Sequence, residues 1–248
     1  MAIKGGATTS FFKNARGVSV YPPMACAVWI YMPNTAPSPF NPEYFFLPSG
    51  NNAGGGLNAQ LQLHYVGQNG TPTSWSFGCN IFSNTGGTFD YSPPAMGLAP
   101  LTWHHLFFSV TGSAGSITGG RMYVNGVYQA PSTGVTATTG YLLLDNQAFV
   151  QIGTGDKGAG AIVAYPAVWR IIPSDPQIAL LAKGYDPRVV APQGLGFFSL
   201  LSGATAAEAS SQPELYTGSP LIISGTPFTL APNPPLRFAQ AGRGRGGY

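Results

Sequence analysis

An all-β sandwich is the fold class this sequence predicts, on three observations. Its 248 residues include 34 glycines and 23 prolines spread along the chain, the punctuation of many short strands joined by turns. Charged residues make up only 8%, against about 25% in an ordinary soluble domain, while apolar residues reach 44%, so the chain can build a core yet covers it with small neutral polar groups. The third observation is local. Trp103–Val110 (W-H-H-L-F-F-S-V) reads as a buried strand, and Arg121–Val127 (R-M-Y-V-N-G-V) as a hairpin turning on Asn125-Gly126, two residues that tolerate positive φ.

Taken in order, Val28–Met32 (V-W-I-Y-M) predicts a strand with bulk on both faces, and a proline-rich loop from Pro33 to Pro42 leads to a second strand at Tyr44–Leu47. Ala53–Leu57 is a glycine turn. Ala59–Val66 and Ser74–Phe82 read as paired strands, with Gln68-Asn69-Gly70 supplying the turn chemistry between them. Ser92–Pro100 is a loop. In the strand that follows, His104, Leu106, Phe108 and Val110 share one face by the period of two, and Trp103, His105 and Phe107 the other. Tyr141–Leu144, Ala148–Ile152 and Ala161–Trp169 complete the strand set, with Pro166 marking an edge or a bulge.

One helix is expected. Ser174-Asp175-Pro176-Gln177 has the capping-box pattern with proline in the first turn, Ile178, Leu181 and Ala182 give an apolar face, and Lys183-Gly184 ends it. Beyond about Asp186 the composition changes to an apolar, glycine-punctuated stretch and then a Pro/Gly/Ser-rich one. This predicts a sandwich over 1–186, with an N-terminal arm of about 1–13, and an irregular extension over 187–248. Phe197, Phe198, Leu200 and Leu201 are too apolar to stay in solvent, so they are expected to pack on the sandwich or on a partner.

Charge is unevenly placed. All eight acids and eight of the eleven bases lie at or before Glu214, so the net +3 comes from Arg237, Arg243 and Arg245. A nucleic-acid-coating role is not expected from a neutral body with two arginines in a Gly-Arg tail. Cys26 and Cys79 sit in strand-like runs and read as small buried thiols. The start M-A-I-K-G-G lacks a secretory pattern and no run approaches the ~20 apolar residues of a membrane span; the expected setting is a cytoplasm, with no membrane partner.

The residues that could do chemistry are sparse. A glycanase needs two carboxylates about 5–9.5 Å apart, but Glu43, Asp90, Asp145, Asp156, Asp175, Asp186, Glu208 and Glu214 never share a predicted strand. His64, His104 and His105 are the only histidines, and the adjacent pair project to opposite faces, so no metal or cofactor site is expected. His104 reads as a hydrogen-bonded strand residue. Gly153–Gly158 (G-T-G-D-K-G) matches a dinucleotide fingerprint but is followed by a strand pattern where that motif needs a helix. The Asn69-Gly70-Thr71 sequon and Asp145-Asn146 read as turns. Among the aromatics, Trp75 and Tyr91 are the candidates for glycan contact.

The W-H-H strand, the Y-V-N-G hairpin and the closing I-x-A-x-x-A-V-W strand before a short capped helix resemble laminin-G-like domains of the concanavalin A-like jelly-roll class, over about residues 20–185. Enzymes of that class carry their carboxylates on one strand as E-x-D-x-x-E, a pattern this chain lacks. The stretch D-P-R-V-V-A-P-Q-G-L-G-F-F-S-L-L, with S-Q-P-E-L-Y-T-G-S-P after it, more loosely resembles laminin-G-like proteins of tailed bacteriophages. Together these resemblances imply a concanavalin A-like (laminin-G-like) β-sandwich with one short C-terminal helix. They also imply a non-enzymatic virion protein, made in the host cytoplasm. The expected role is capsid decoration or cementing, with the major capsid protein or other virion subunits as partners and a homo-oligomer on the particle. Phe197, Phe198, Leu200, Leu201, Arg237, Arg243 and Arg245 would form its contact arm. The alternative is a glycan-binding adhesin, or a tail or fibre component that recognises a host surface.

Overall fold

With breakers this frequent, strands are the units the chain can build, and the computed structural model shows sixteen of them and two short helices among the described residues. Those residues are 2–4, 11–14, 23–31, 43–49, 61–67, 75–82, 88–91, 98–113, 116–131, 149–152, 162–201, 211–212, 215, 220–224, 229–231 and 234. The first strands are β1 (Ala2–Lys4), β2 (Phe11–Asn14), β3 (Met24–Tyr31), β4 (Glu43–Ser49), β5 (Leu61–Gly67) and β6 (Trp75–Phe82). Then come β7 (Thr88–Tyr91), β8 (Trp103–Ser113), β9 (Ser116–Val124), β10 (Val127–Gln129), β11 (Phe149–Ile152) and β12 (Ile162–Trp169). Helices α1 (Asp175–Leu181) and α2 (Pro187–Val190) precede β13 (Leu195–Phe198), β14 (Ser211–Gln212), β15 (Leu221–Ser224) and β16 (Thr229–Ala231).

Two antiparallel eight-stranded sheets result. The first runs β10-β9-β8-β3-β12-β1-β16 with β13 also on β12, and the second runs β14-β15-β2-β11-β4-β5-β6-β7. This is the expected sandwich, and the hairpin at Asn125-Gly126, the strands at β3–β6, β8, β11 and β12, and the capped helix all stand where the sequence placed them. The strand expected at Tyr141–Leu144 lies outside the described residues, as do the Gly153–Gly158 run, the sequon and Asp145-Asn146.

Both ends of the chain correct the sequence reading. The N-terminal segment forms β1, paired with β12 and β16, and β2, paired with β11 and β15. Over its described strands the segment beyond 186 is likewise part of the sandwich: β13 joins the first sheet and β14–β15 the second. Phe197, Phe198 and Leu201 are fully buried within this fold and have no surface to offer a partner, while Leu200 is partly buried against the same core. The apolar side chains did find a surface to cover, and it is their own sheet. Arg237, Arg243 and Arg245 lie outside the described residues.

The core has two layers because β3, β8 and β12 are buried on both faces. On one face Ala25, Ala27, Trp29, Phe107, Tyr123 and Trp169 pack under Ile178 and Leu181 of α1 and against Ala191, Leu195 and Phe198. On the other, Cys26, Val28, Ile30, Leu106, Phe108 and Val110 are buried without help from the helices. The second sheet, which approaches the first where β4 meets β12, provides their cover. Pro166 marks a bulge in an interior strand, not an edge. The β3 register shifts between Ala164 and Ala167, and Tyr165 takes a φ of +54°. Tyr165 and Pro166 stand opposite the single residue Val28, and this one extra residue leaves Ala164 and Ala167 on the same, helix-facing side. Beyond the bulge β12 also changes partner, pairing with β1 at Ile162–Val163 and with β13 at Ala167–Trp169.

Straps hold the helical cover down. Gln177 accepts from the backbone N–H of Ser174 at 2.9 Å and donates to the Val190 carbonyl at 2.8 Å, linking α1 to α2. The Trp169 indole donates to the Ala191 carbonyl at 2.8 Å. Gly184, at φ +85°, lets the chain leave α1.

Candidate functional site

The W-H-H strand and the N-G hairpin are one construction. Asn125 adopts φ +51° and Gly126 φ +81°, the left-handed pair that a tight two-residue hairpin needs. The Asn125 backbone N–H donates to the His105 carbonyl at 2.8 Å, and its side-chain oxygen accepts from the His105 N–H at 2.9 Å. Its amide nitrogen lies 3.2 Å from His104 Nδ1, and His104 Nε2 lies 3.1 Å from the Ala99 carbonyl. Those partners assign His104 as the neutral tautomer with its proton on Nε2, donating to Ala99 and accepting from Asn125. Burial holds its basicity below the usual value, against the opposing pull of the Ala99 carbonyl. His104 is thus a structural residue that locks turn to strand, as its place in the motif suggested.

A second cluster joins α1 to the edge of the first sheet. Arg121 forms two 3.1 Å bonds to the Asp175 carboxylate, and the Tyr123 hydroxyl donates to the same group at 2.8 Å. The guanidinium lies over the rings of Tyr123 and Tyr128, 5.2 and 5.4 Å from their centroids. Bonds from Tyr123 and then Arg121 hold the Asp175 carboxyl below its usual value. Burial, with the bond to Asp175, pushes the Tyr123 phenol up to about 12, so it remains a donor. Asp186 is similarly occupied: it accepts from the Arg188 N–H at 2.8 Å and from its guanidinium at 2.6–3.1 Å.

The remaining described acids, Glu43 and Asp90, lie on β4 and β7 of the second sheet. Three strand spacings and three residues along the strands separate their backbones, roughly 18 Å by sheet geometry, well beyond the reach of a glycanase pair. Among the described residues no group of three His, Cys, Asp or Glu side chains could hold a metal ion.

The second sheet shows a regular division. Register partners Ile223–Phe12–Ile152–Phe46–Leu63–Cys79–Tyr91 make one apolar line across seven strands, with Cys79 fully buried. The neighbouring line is Ile222–Lys13–Gln151–Leu47, continued beyond β4 by Gln62–Asn80–Asp90. On β15 the alternation is explicit, since Leu221 is fully buried whereas Ile222 is 54% exposed. Gln62, Asn80 and Asp90, with the adjoining pair His64–Gly78, occupy the alternate positions to buried Phe77 and Cys79.

Both candidate glycan aromatics stand in strands, not loops. Trp75 opens β6 opposite Gly67, two residues before buried Phe77, and Tyr91 is the register partner of Cys79. They belong by register to the apolar series. The polar line was missed because its members come from three strands and no sequence spacing joins them.

Residues 18–179, about two thirds of the chain, match the concanavalin A-like lectin/glucanases superfamily. The chain belongs to that superfamily. Solved structures it is similar to in fold include a putative carbohydrate binding protein from Bacteroides ovatus, at a TM-score of 0.54 and 15% identity, covering 92% of this chain and 59% of that one. Others are the heptameric SAP-like pentraxin of Limulus polyphemus (TM-score 0.48, 13% identity, 73% and 80% covered) and the enzymatically active domain of tailspike protein 2 of bacteriophage CBA120 (0.47, 12%, 79% and 29%). At these identities the likeness is one of fold, and this chain spans just over half of the B. ovatus protein and under a third of the tailspike domain. No curated protein matches the chain in sequence. Superfamily membership admits lectins and glucanases alike, so activity must come from the residues.

Proposed function

We infer that this chain is a non-catalytic binding module whose ligand is a neutral or weakly charged glycan, held on the face of the second sheet to which Gln62, Asn80 and Asp90 belong by register. The observation that carries this reading is the line Gln62–Asn80–Asp90 beside His64–Gly78. Amide- and carboxylate-bearing residues follow one another in register across β5, β6 and β7, and such groups suit the paired hydroxyls of a sugar. Among the described acids, the separation of Glu43 from Asp90 and the ion pairing of Asp175 and Asp186 favour binding without hydrolysis. The B. ovatus protein's description as carbohydrate binding agrees with this reading.

The test is retention of the full chain on a glycan array, compared with Asn80→Ala and Asp90→Ala. Retention that both variants lose by tenfold or more supports the assignment; retention unchanged in both, or none by any glycan, overturns it. Release of reducing sugar from a bound polysaccharide would overturn the non-catalytic part.

A second reading is virion assembly: a decoration or cement protein of a tailed bacteriophage, made in the host cytoplasm and seated on capsid subunits. The charge-poor body favours it, as do exposed Val127, Tyr128, Leu180 and Val189 around the first sheet's helical cover. Co-sedimentation of the purified chain with capsids, with no glycan retained, would establish this reading over the first.

A further inference from the structure

His105 is the buried ionisable group that neither reading uses. It is 2% exposed, its Nδ1 has no hydrogen-bond partner, and its ring meets Trp29 edge-on at 5.3 Å. The ring lines a small cavity of about 20 Å³, room for about one water molecule, between the first sheet and its helical cover. Trp29 and Tyr165 close the cavity from the sheet, and Leu181, Tyr185 and Asp186 from the cover. Tyr165 is the residue of the β12 bulge with φ +54°, so backbone strain, an unpaired nitrogen and a packing defect coincide.

We propose that His105 makes the α1–α2 cover an acid-released latch: protonation of its ring is relieved by lifting the cover, while the strands stay paired. The reason is positional. An imidazolium in this cavity would carry two N–H donors among Trp29, Tyr165, Leu181 and Tyr185, and the one carboxylate nearby, Asp186, is already matched by Arg188. Water can reach the ring by displacement of 181–187 alone, since His105 and Trp29 are held to their neighbours by the β3–β8 ladder. The groups facing His105 are Tyr165 of β12, Tyr185 and Asp186 of the cover, and Arg188 through Asp186; none supplies a spare negative charge.

The sign follows from linkage. Burial depresses His105 from 6.5 to about 3, so the closed cover is fully stabilised above pH 6.5 and loses that stabilisation as pH falls toward 3. Opening therefore grows about tenfold per pH unit in this range.

The experiment is amide hydrogen exchange on the full chain at pH 6.5 and 5, corrected for intrinsic rates, where carboxylates remain charged. Residues 175–191 should lose protection by about tenfold per unit while β3 and β8 keep theirs, and His105→Leu should flatten the dependence. Equal loss in the wild type and His105→Leu, or simultaneous loss in β3 and β8, overturns the proposal. If His105→Leu does not fold, NMR titration of the His105 ring decides. Protonation that tracks the loss of helix protection supports the latch, and a midpoint near 6.5 with unchanged protection refutes it.

Discussion

Asn125→Ala tests the claim that the family signature is a structural lock. The substitution removes the acceptor for the His105 N–H and the donor to His104 Nδ1, two bonds of 2.9 and 3.2 Å. Each buried group left without a partner costs about 1–3 kcal/mol. Alanine at φ +51° adds roughly 1 kcal/mol more. The expected loss is therefore about 3–7 kcal/mol, a large share of the roughly 5–15 kcal/mol that holds a domain folded. Urea unfolding followed by tryptophan fluorescence measures it. Asn125→Gly separates the parts, since it relieves the backbone but not the lost bonds, and should recover about 1 kcal/mol. A loss below 1 kcal/mol in Asn125→Ala would refute the lock and return the motif to sequence coincidence.

Asn125→Asp should be pH-dependent in a definite sense. A carboxylate still accepts from the His105 N–H but asks His104 Nδ1 for a proton, raising that histidine's folded basicity. Its stabilisation is then greatest at low pH and is lost as pH rises through the raised value, so the midpoint of unfolding should fall from pH 5.5 to 8. Gly194→Ala places a Cβ 2.5 Å from Ile171 Cγ1 at φ +68° and should cost about 2 kcal/mol or more, read as a lowered urea midpoint. Asp175→Asn removes an exposed ion pair (side chains 45% and 59% exposed) and should shift stability by no more than about 1 kcal/mol, with thermal melting as the check. Truncation after Asp186 removes Phe197 and Phe198 from the core and four strands from the sheets. The product should be insoluble or lack dispersed NMR signals.

What the sequence disclosed was whatever local pattern determines. The Asn125-Gly126 turn, the capping box at Ser174–Gln177 and the alternation through His104–Val110 depend on neighbours within a few residues, and each was legible. β1, β2 and β13–β16 were not. Short runs such as Ala2–Lys4 or Thr229–Ala231 carry no periodicity, and only their distant partners make them strands. Of the two covers the sequence left open for Phe197 and Phe198, the sandwich or a partner, it is the sandwich that buries them. Apolar content says that a segment must be covered but not by what, and only the pairing of β13 with β12 decides it. The candidate site was hidden likewise, since Gln62, Asn80 and Asp90 meet only through register.

The pairing of β1 with β16, and of β2 with β15, has a consequence for how the molecule is born. Lys4 leaves the ribosome some 225 residues ahead of its partner Thr229. At about 5–20 residues per second, that is a wait of roughly 11–45 s. Throughout this interval β1 and β2 each lack the neighbour, β16 or β15, that later completes them. Each nascent chain therefore exposes unfinished sheet margins until β15 and β16 emerge, and in a crowded polysome those margins can engage the same strands of an adjacent chain. Slow synthesis or stalling before residue 221 should favour such cross-pairing, and with it aggregation, over the closed sandwich.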